Sequence, residues 1–345
     1  MKFKAAILVE QRKPLVVDFI QLKNKLKVGQ VLVKIHYTGI CGSQIGEING
    51  VKGPDKYLPH LLGHEASGQV LEIGPGVKTV NVDDYVVMHW KKGEGINSEP
   101  PNYLWNKKKL NAGQIATFNE YAVISENRLT LLPEKLKLNE AALYGCAVTT
   151  GFGLIENKSN IKIGESVVVY GSGGVGLNII QAAKIMGAHP IIAIDKTNEK
   201  LKLANTMGAS HSIKSDCTDI FKKISKILGE KNIDIFIDNT GFPDIISRGY
   251  ENINTKGRVL LVGVPKTNNN INIFSLPLHF GKIITGTHGG DGNPNLDIPR
   301  YSKYLSAKKN SLSKIITKTY SLDKINSAIE LMIDGKIEGR CVIKL

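Results

Sequence analysis

Three side chains able to hold a soft metal ion stand in three separate glycine-flanked segments. Cys41 lies in GICGSQIGE (39–47), His64 in LLGHEASGQV (61–70) and Cys146 in GCAVTTGFG (145–153). Thiolate and imidazole are the donors zinc prefers, and a catalytic zinc takes three protein ligands while keeping one position open for substrate. Each residue alone has a plainer reading: a buried cysteine is commonly a small hydrophobe, and a lone histidine a satisfied polar group. None of the three sits in a CxxC or HExxH pair, so spacing leaves a metal site and three unrelated residues both open.

A second constellation is more compact. VVVYGSGGVGLNII sets Gly171, Gly173 and Gly176 in a G-x-G-x-x-G, with Gly174 and Val175 inside it, between a strand-like run and a helix-like run. In that context Gly171 permits a tight turn, Gly173 lets backbone amides approach a pyrophosphate and Gly176 allows close packing of the helix, whose N-terminus favours the phosphates. The next strand, PIIAID, ends at Asp195, nineteen residues past Gly176. A carboxylate there accepts from both ribose hydroxyls and repels a 2′-phosphate, which favours NAD over NADP. Such a cofactor carries hydride, and taking hydride from an alcohol calls for an acid that stabilises the alkoxide. Zinc would serve.

Both constellations need elements to hold them, and the texture of the chain supplies two kinds. Over roughly 1–147, β-rich pieces such as QVLVKIHY, ASGQVLEIG and YVVMHW are separated by turn-rich stretches, which predicts an irregular, mostly antiparallel β domain. From 165, the runs SVVVY, LNIIQAAKIMGA, PIIAID, NEKLKLANTMGA, DIFIDNTG, GRVLLVGVP and KIITG alternate strand with helix, the pattern of a doubly wound parallel sheet. After 287 the texture is mixed again and closes with an amphipathic helix and a strand, able to fold back onto the first domain. The boundaries expected are 1–147 with 287–345 for one domain and 148–286 for the other.

Composition bounds the function. At 345 residues, two domains are the natural division. No apolar run approaches a bilayer span, and the N-terminal MKFKAAILVEQRK reads as a strand and not as a secretory signal, so a cytoplasmic, membrane-free protein is expected. The net charge of +14 invites a nucleic-acid partner, but the lysines are scattered and no RNA-binding aromatic signature accompanies them, so a solvated basic surface is the better account. Four distant cysteines make no disulfide framework.

GICGS, GHEASGQV, GCAVTTGFG, GSGGVG and the closing INSAIELMIDGKIEGRCVIKL, in this order, resemble the zinc-dependent medium-chain alcohol and polyol dehydrogenases over essentially the whole chain. The resemblance implies a GroES-like catalytic domain and a Rossmann domain, assembled as a homodimer or homotetramer. It implies zinc on Cys41, His64 and Cys146, with Glu65 as a carboxylate beside the metal and Ser43 as the hydroxyl on the substrate oxygen. It places Thr150 and Val175 at the nicotinamide, Lys200 at the ribose, Arg340 at the pyrophosphate, Val264 as a further cofactor contact and Trp90 in the substrate pocket. The activity implied is hydride transfer between an alcohol, polyols and sugar-derived alcohols included, and NAD, giving an aldehyde or ketone.

Departures from the family pattern stand out. Gln44 replaces the usual aspartate and is expected to orient the imidazole without making it more basic. Gly46 replaces a histidine that ends the proton relay in many members, so the proton leaves by water or another group. Gly42 lacks the pyrophosphate-binding arginine of one branch and points to the polyol branch. The stretch 90–110, where many relatives hold a structural zinc on four cysteines, has none, so one catalytic zinc per chain is expected, and Cys217 and Cys341 read as idle thiols. His89, Lys91 and Lys92 either meet a polar substrate or form a solvated turn. Two other classes remain: a zinc-free quinone or enoyl reductase, which would need none of the three ligands, and a noncatalytic nucleotide- or RNA-binding protein on this fold.

Overall fold

The protein's structure, a computed structural model, describes residues 1–23, 25–307 and 312–345. The chain divides into two compact units: Met1–Thr149 with Asn293–Leu345, and Thr150–Gly292.

The second unit is a six-stranded, wholly parallel sheet. Numbered from Val167–Tyr170 in chain order, its strands lie 3-2-1-4-5-6, the doubly wound arrangement. The four residues of Val167–Tyr170 are all buried, as a β-branched run covered on both faces should be. Helices Gly174–Ile185, Asn198–Met207 and Pro243–Asn252 connect the strands. The short strand His211–Lys214 and the helix Ile220–Ile227 between Met207 and Ile233 did not stand out in the sequence, because the strand is a polar edge in which only Ile213 is buried.

The first unit contains two sheets. The smaller joins His60–Leu61, Lys2–Leu8, Val16–Leu22, Tyr103–Trp105 and Lys108–Leu110. The larger is built on Gln30–Gly39, which pairs antiparallel with Glu65–Ile73, Tyr121–Ser125 and Arg340–Lys344. Its pairings are antiparallel except that of Ile316–Ser321 with Arg340–Lys344. That pairing pattern decides where the chemistry falls. Cys41 follows the end of Gln30–Gly39, while His64 precedes, and Glu65 and Arg340 begin, strands that run the other way beside it, so all four gather at one end of the sheet. Glu65 in turn pairs with His89, bringing Trp90 to the same end.

The segment from 90 to 110 is ordered by hydrogen bonds. The Glu126 carboxylate accepts from the main-chain N–H groups of Lys78, Thr79 and Ile96 at 2.6, 2.9 and 2.7 Å. Asn106 and Lys107 have φ of 49° and 63°, the left-handed pair that closes a two-residue hairpin between Tyr103–Trp105 and Lys108–Leu110. No described helix is long and apolar enough to cross a membrane.

In the second unit Phe236 is fully buried between the rings of Tyr170 and Phe221, at centroid distances of 6.4 and 6.2 Å. Phe236→Ala is expected to cost about 3–5 kcal/mol, read as a lower urea midpoint by far-UV circular dichroism. A midpoint equal to the parent's would show that this ring is not part of a packed core.

Candidate functional site

The first unit brings Cys41, His64 and Cys146 together: their ligand atoms all lie within 4.8 Å of one another. Each arrives by a different route. Cys41 is the residue before the helix Gly42–Ile48, His64 stands just ahead of the strand Glu65–Ile73, and Cys146 occupies a π-helical turn, Tyr144–Val148. Wide turns of this kind recur at functional sites because they swing one side chain out of helical register.

The Cys41 and Cys146 sulfurs are 4.0 Å apart and both residues are buried. The Cys146 contact, then His64 and the positive charge of Arg340, hold the Cys41 thiol well below its ordinary value despite burial. His64 Nε2 is buried without a hydrogen-bond partner. A thiol held below its ordinary range, a second thiol at contact distance and an orphaned imidazole nitrogen form a donor set of the kind zinc takes. On this structure the residues fit the metal.

Glu65 is fully buried beside them, ion-paired with Arg340, whose side chain is also buried, and its other oxygen accepts from Ala147 N–H at 3.3 Å. Two glycines make room for it. A Cβ on Gly39 would stand 2.6 Å from Glu65 Oε1, and one on Gly145 would stand 2.8 Å from Glu65 Cα and collide with the Met88 carbonyl oxygen. Gly39 thus leaves room for the carboxylate itself, and Gly145 for the Glu65 backbone and the Met88 carbonyl. Ser43 is partly exposed in the helix that Cys41 begins.

Gln44 does not hold His64. Its side-chain oxygen accepts from Gly63 N–H and its amide donates to Glu47 Oε2 at 3.4 Å. The expectation that it orients the imidazole directly is corrected: it grips the main chain one residue earlier. His89 is corrected as well. It is buried, held between the Lys91 carbonyl at 2.8 Å and Thr130 Oγ1 at 3.0 Å, and burial pushes it down to about 4, so it is neutral and does not present a charge to substrate. Trp90 is partly buried, with its carbonyl accepting from Arg128 at 2.6 Å. Cys341 is buried 3.3 Å from the Met332 sulfur, with its thiol pushed up to about 11 by burial, an inert position.

In the second unit Gly171 follows strand Val167–Tyr170 at the point where strand order reverses, and takes φ of 99°. A Cβ on Gly173 would meet open space, whereas one on Gly176 would collide with the Gly171 carbonyl. Gly174 and Val175 open the helix Gly174–Ile185. Ser172 Oγ in this loop is buried without a partner. Asp195 accepts from Ser172 N–H at 2.8 Å, and Lys200 Nζ stands 3.9 Å from its other oxygen. The loop, the carboxylate and the lysine therefore form one group. An open cradle at Gly173 next to an orphaned hydroxyl fits a pyrophosphate. Thr150 is buried in the helix Thr149–Leu154, and Val264 is more than half exposed, beside Gly241.

Glu47, Asp55 and His60 were missed at the sequence level, although their donor atoms also lie within 4.8 Å of one another. Common surface residue types without a repeat spacing left no signal.

A thiolate and imidazole trio in one unit and a dinucleotide-type loop in the other are the attributes of an oxidoreductase. Residues 27–134 match the alcohol dehydrogenase GroES-like domain and residues 174–307 the zinc-binding dehydrogenase family. Alcohol dehydrogenase 6 of Peromyscus maniculatus is 31% identical over 371 residues, covering 99% of this chain and 98% of that protein. S-(hydroxymethyl)glutathione dehydrogenase of Photobacterium damsela subsp. piscicida is 29% identical over 365 residues, covering 97% and 98%. The crystal structure of benzyl alcohol dehydrogenase from Acinetobacter calcoaceticus superposes with a TM-score of 0.88 at 26% identity, covering 100% of this chain and 99% of that one. The chain belongs to the zinc-dependent medium-chain dehydrogenases, and it is an oxidoreductase.

Removing one partner of the buried pair leaves the other charge uncompensated. Arg340→Met is expected to lose about 3–5 kcal/mol, and Glu65→Gln/Arg340→Met to recover most of that loss in thermal and urea melts. A double variant as unstable as Arg340→Met alone would show that the charge is not what destabilises.

Proposed function

We propose that the protein interconverts an alcohol and its aldehyde or ketone, with NAD as hydride carrier and a single zinc held by Cys41, His64 and Cys146. The observation that carries this reading is the convergence of three donors, one a depressed thiol and one a buried nitrogen with no partner. When bound, zinc supplies the Lewis acidity that lets a hydroxyl ionise near neutral pH, and NAD supplies the hydride acceptor.

The chain's own residues do the rest. Cys41 and Cys146 contribute negative charge and His64 a neutral nitrogen, while Glu65, neutralised by Arg340, stays buried next to them. Ser43 is the hydroxyl that takes the proton from the alcohol, or returns it to the carbonyl oxygen. Gly46 offers no side chain to carry it further, so it leaves through water. Amides of Gly171–Gly176 hold the pyrophosphate, and Asp195, fixed by Ser172, receives the ribose hydroxyls. Thr150, Val175 and Val264 contact the cofactor, with Lys200 at the ribose side. Trp90 lines the substrate pocket for a small alcohol, and the family resemblance supports a cytoplasmic homodimer or homotetramer.

Cys41→Ala, His64→Ala and Cys146→Ala should each abolish alcohol oxidation and bring zinc from one per chain to near zero, with NADH binding retained by fluorescence titration. Turnover with Cys146→Ala at full zinc content would mean a different ligand set. Chelation of the parent should remove activity without unfolding the 90–110 segment.

Cofactor choice is tested separately. Asp195→Ser should raise the NADP over NAD preference by at least about tenfold, since juxtaposing like charges costs on the order of 1 kcal/mol or more. Lys200 is already close enough to serve a 2′-phosphate once the carboxylate is gone. Equal preference in parent and variant, measured as the ratio of kcat/KM, would remove Asp195 from cofactor selection.

A further inference from the structure

Gln44 begins a chain of contacts that ends far from its own helix. Its main-chain N–H donates to the Cys41 carbonyl at 3.0 Å, its side chain is buried, and both ends of its amide are used, on Gly63 and on Glu47. Gly63 immediately precedes His64 and has φ of 96°, in a space where a Cβ would stand 2.7 Å from Phe118 N, so its N–H direction is set by a tight fit. Gln44 thus holds the main chain beside two of the three metal-site residues, Cys41 through its own main-chain N–H and Gly63 through its side chain.

The other end of the chain is anchored. Glu47 Oε1 lies 4.0 Å from His60 Nε2, which contacts Asp55 Oδ2 at 2.7 Å. His60 Nδ1 contacts the Leu61 carbonyl at 3.0 Å. Both ring nitrogens of His60 are thus engaged by oxygen partners. Burial would raise the Asp55 carboxyl, but the Tyr57 N–H and His60 outweigh it and hold the group below its ordinary value, as an acceptor. His60 is paired in the smaller sheet opposite Leu8, and Gln11 ties Asp55 N–H and the Glu47 and Gly53 carbonyls to the same region. Glu47, Asp55 and His60 also have the donor types of a cation site, but both ring nitrogens of His60 are already engaged, by the Leu61 carbonyl and the Asp55 carboxylate.

We propose that Gln44, Glu47, His60 and Asp55 form a single polar strap, hydrogen-bonded except where Glu47 and His60 meet at 4.0 Å, that positions Cys41 and His64 for zinc by restraining the main chain beside each, without a hydrogen bond to the His64 ring. The proposal rests on the reading of Cys41, His64 and Cys146 as the zinc ligands. These four are positioning residues. Gln44 grips the segments that carry the ligands, Glu47 passes the restraint on, and His60 with Asp55 fixes it to the sheet. The strap acts through metal affinity and not through the chemistry of the alcohol.

The test is zinc retention in the full-length holoenzyme, read by competition with a chromophoric chelator. Gln44→Leu and His60→Phe should each bind zinc about tenfold more weakly, the size of effect expected of groups that orient metal ligands. The double variant should be within a factor of about two of the weaker single, because links in series are not additive. Glu47→Gln, nearly isosteric and at a partly exposed residue, keeps the fold if the others do not and should weaken zinc severalfold, with NADH affinity unchanged in all. Parent-like zinc retention in Glu47→Gln and Gln44→Leu overturns the proposal. So does a fully multiplicative double variant, or loss from His60→Phe of a second metal equivalent while the thiolate zinc stays. Cys146→Ala is the control: if it keeps its zinc, the ligand assignment falls and the strap with it, whereas zinc loss there with normal retention in the strap variants sinks the strap alone.

Discussion

The buried pair of Glu65 and Arg340 is the constraint around which the first unit is arranged. Two opposite charges removed from water must recover a desolvation penalty of several kcal/mol per ion, and only close contact and supporting hydrogen bonds do so. The structure provides both through three separate elements. Glu65 opens one strand, Arg340 opens the last one, and Ala147 reaches in from the turn that carries Cys146. Each of these elements sits next to a metal-site residue, so the pair cannot form without bringing the donors together. Gly39 follows from the same demand, since a side chain there would displace the carboxylate, while one at Gly145 would displace the start of the strand that carries it. The positive charge of Arg340 then acts once more, helping to hold the Cys41 thiol below its ordinary range.

What could be read from the sequence follows from how local each feature is. The loop from Gly171 to Gly176 is contiguous, and each glycine answers a separate steric demand that the neighbouring residues already announce: a turn after VVVY, an open cradle, a close carbonyl. The parallel sheet was legible for a related reason, because strands buried on both faces are continuous apolar runs. The metal trio is non-local. Cys41, His64 and Cys146 meet only because antiparallel strands bring distant ends together, a fact carried by pairing register and not by spacing, so resemblance was needed to join them. Arg340 and Glu65 are farther apart still. The edge strand His211–Lys214 has one buried residue, too little for a periodic signal.

Polar side chains that serve main-chain groups were the hardest to foresee. Gln44 read as a weaker version of a carboxylate facing an imidazole, and the structure turns it toward Gly63 instead. His89 stands just ahead of a tryptophan and two lysines in the sequence, yet is sealed in by Lys91 and Thr130. Glu126 gathers three main-chain N–H groups, one of them from Ile96 in the 90–110 stretch. In each case the residue type was visible and its partner was not, because a backbone donor has no letter in the sequence. Buried backbone groups must nevertheless be satisfied, and these side chains are where that requirement falls.

The choice of a neutral Gln44 is also consistent with the charge of the site as a whole. With the zinc proposed for the trio, two thiolates would balance the divalent cation while Arg340 balances Glu65, so the set would close at neutrality without another acid. A carboxylate at position 44 would add negative charge in a buried place, and the structure holds no second arginine against it among the contacts of Gln44. Added negative charge beside a Lewis acid also lowers its pull on a bound oxygen. Orienting His64 through the main chain avoids both costs. The negative charge goes instead to Glu47 and Asp55, outside the trio, where His60 meets it. Restraint and charge, which a single aspartate would deliver together, are here supplied by different residues, and that separation is what lets a glutamine stand so close to the metal ligands.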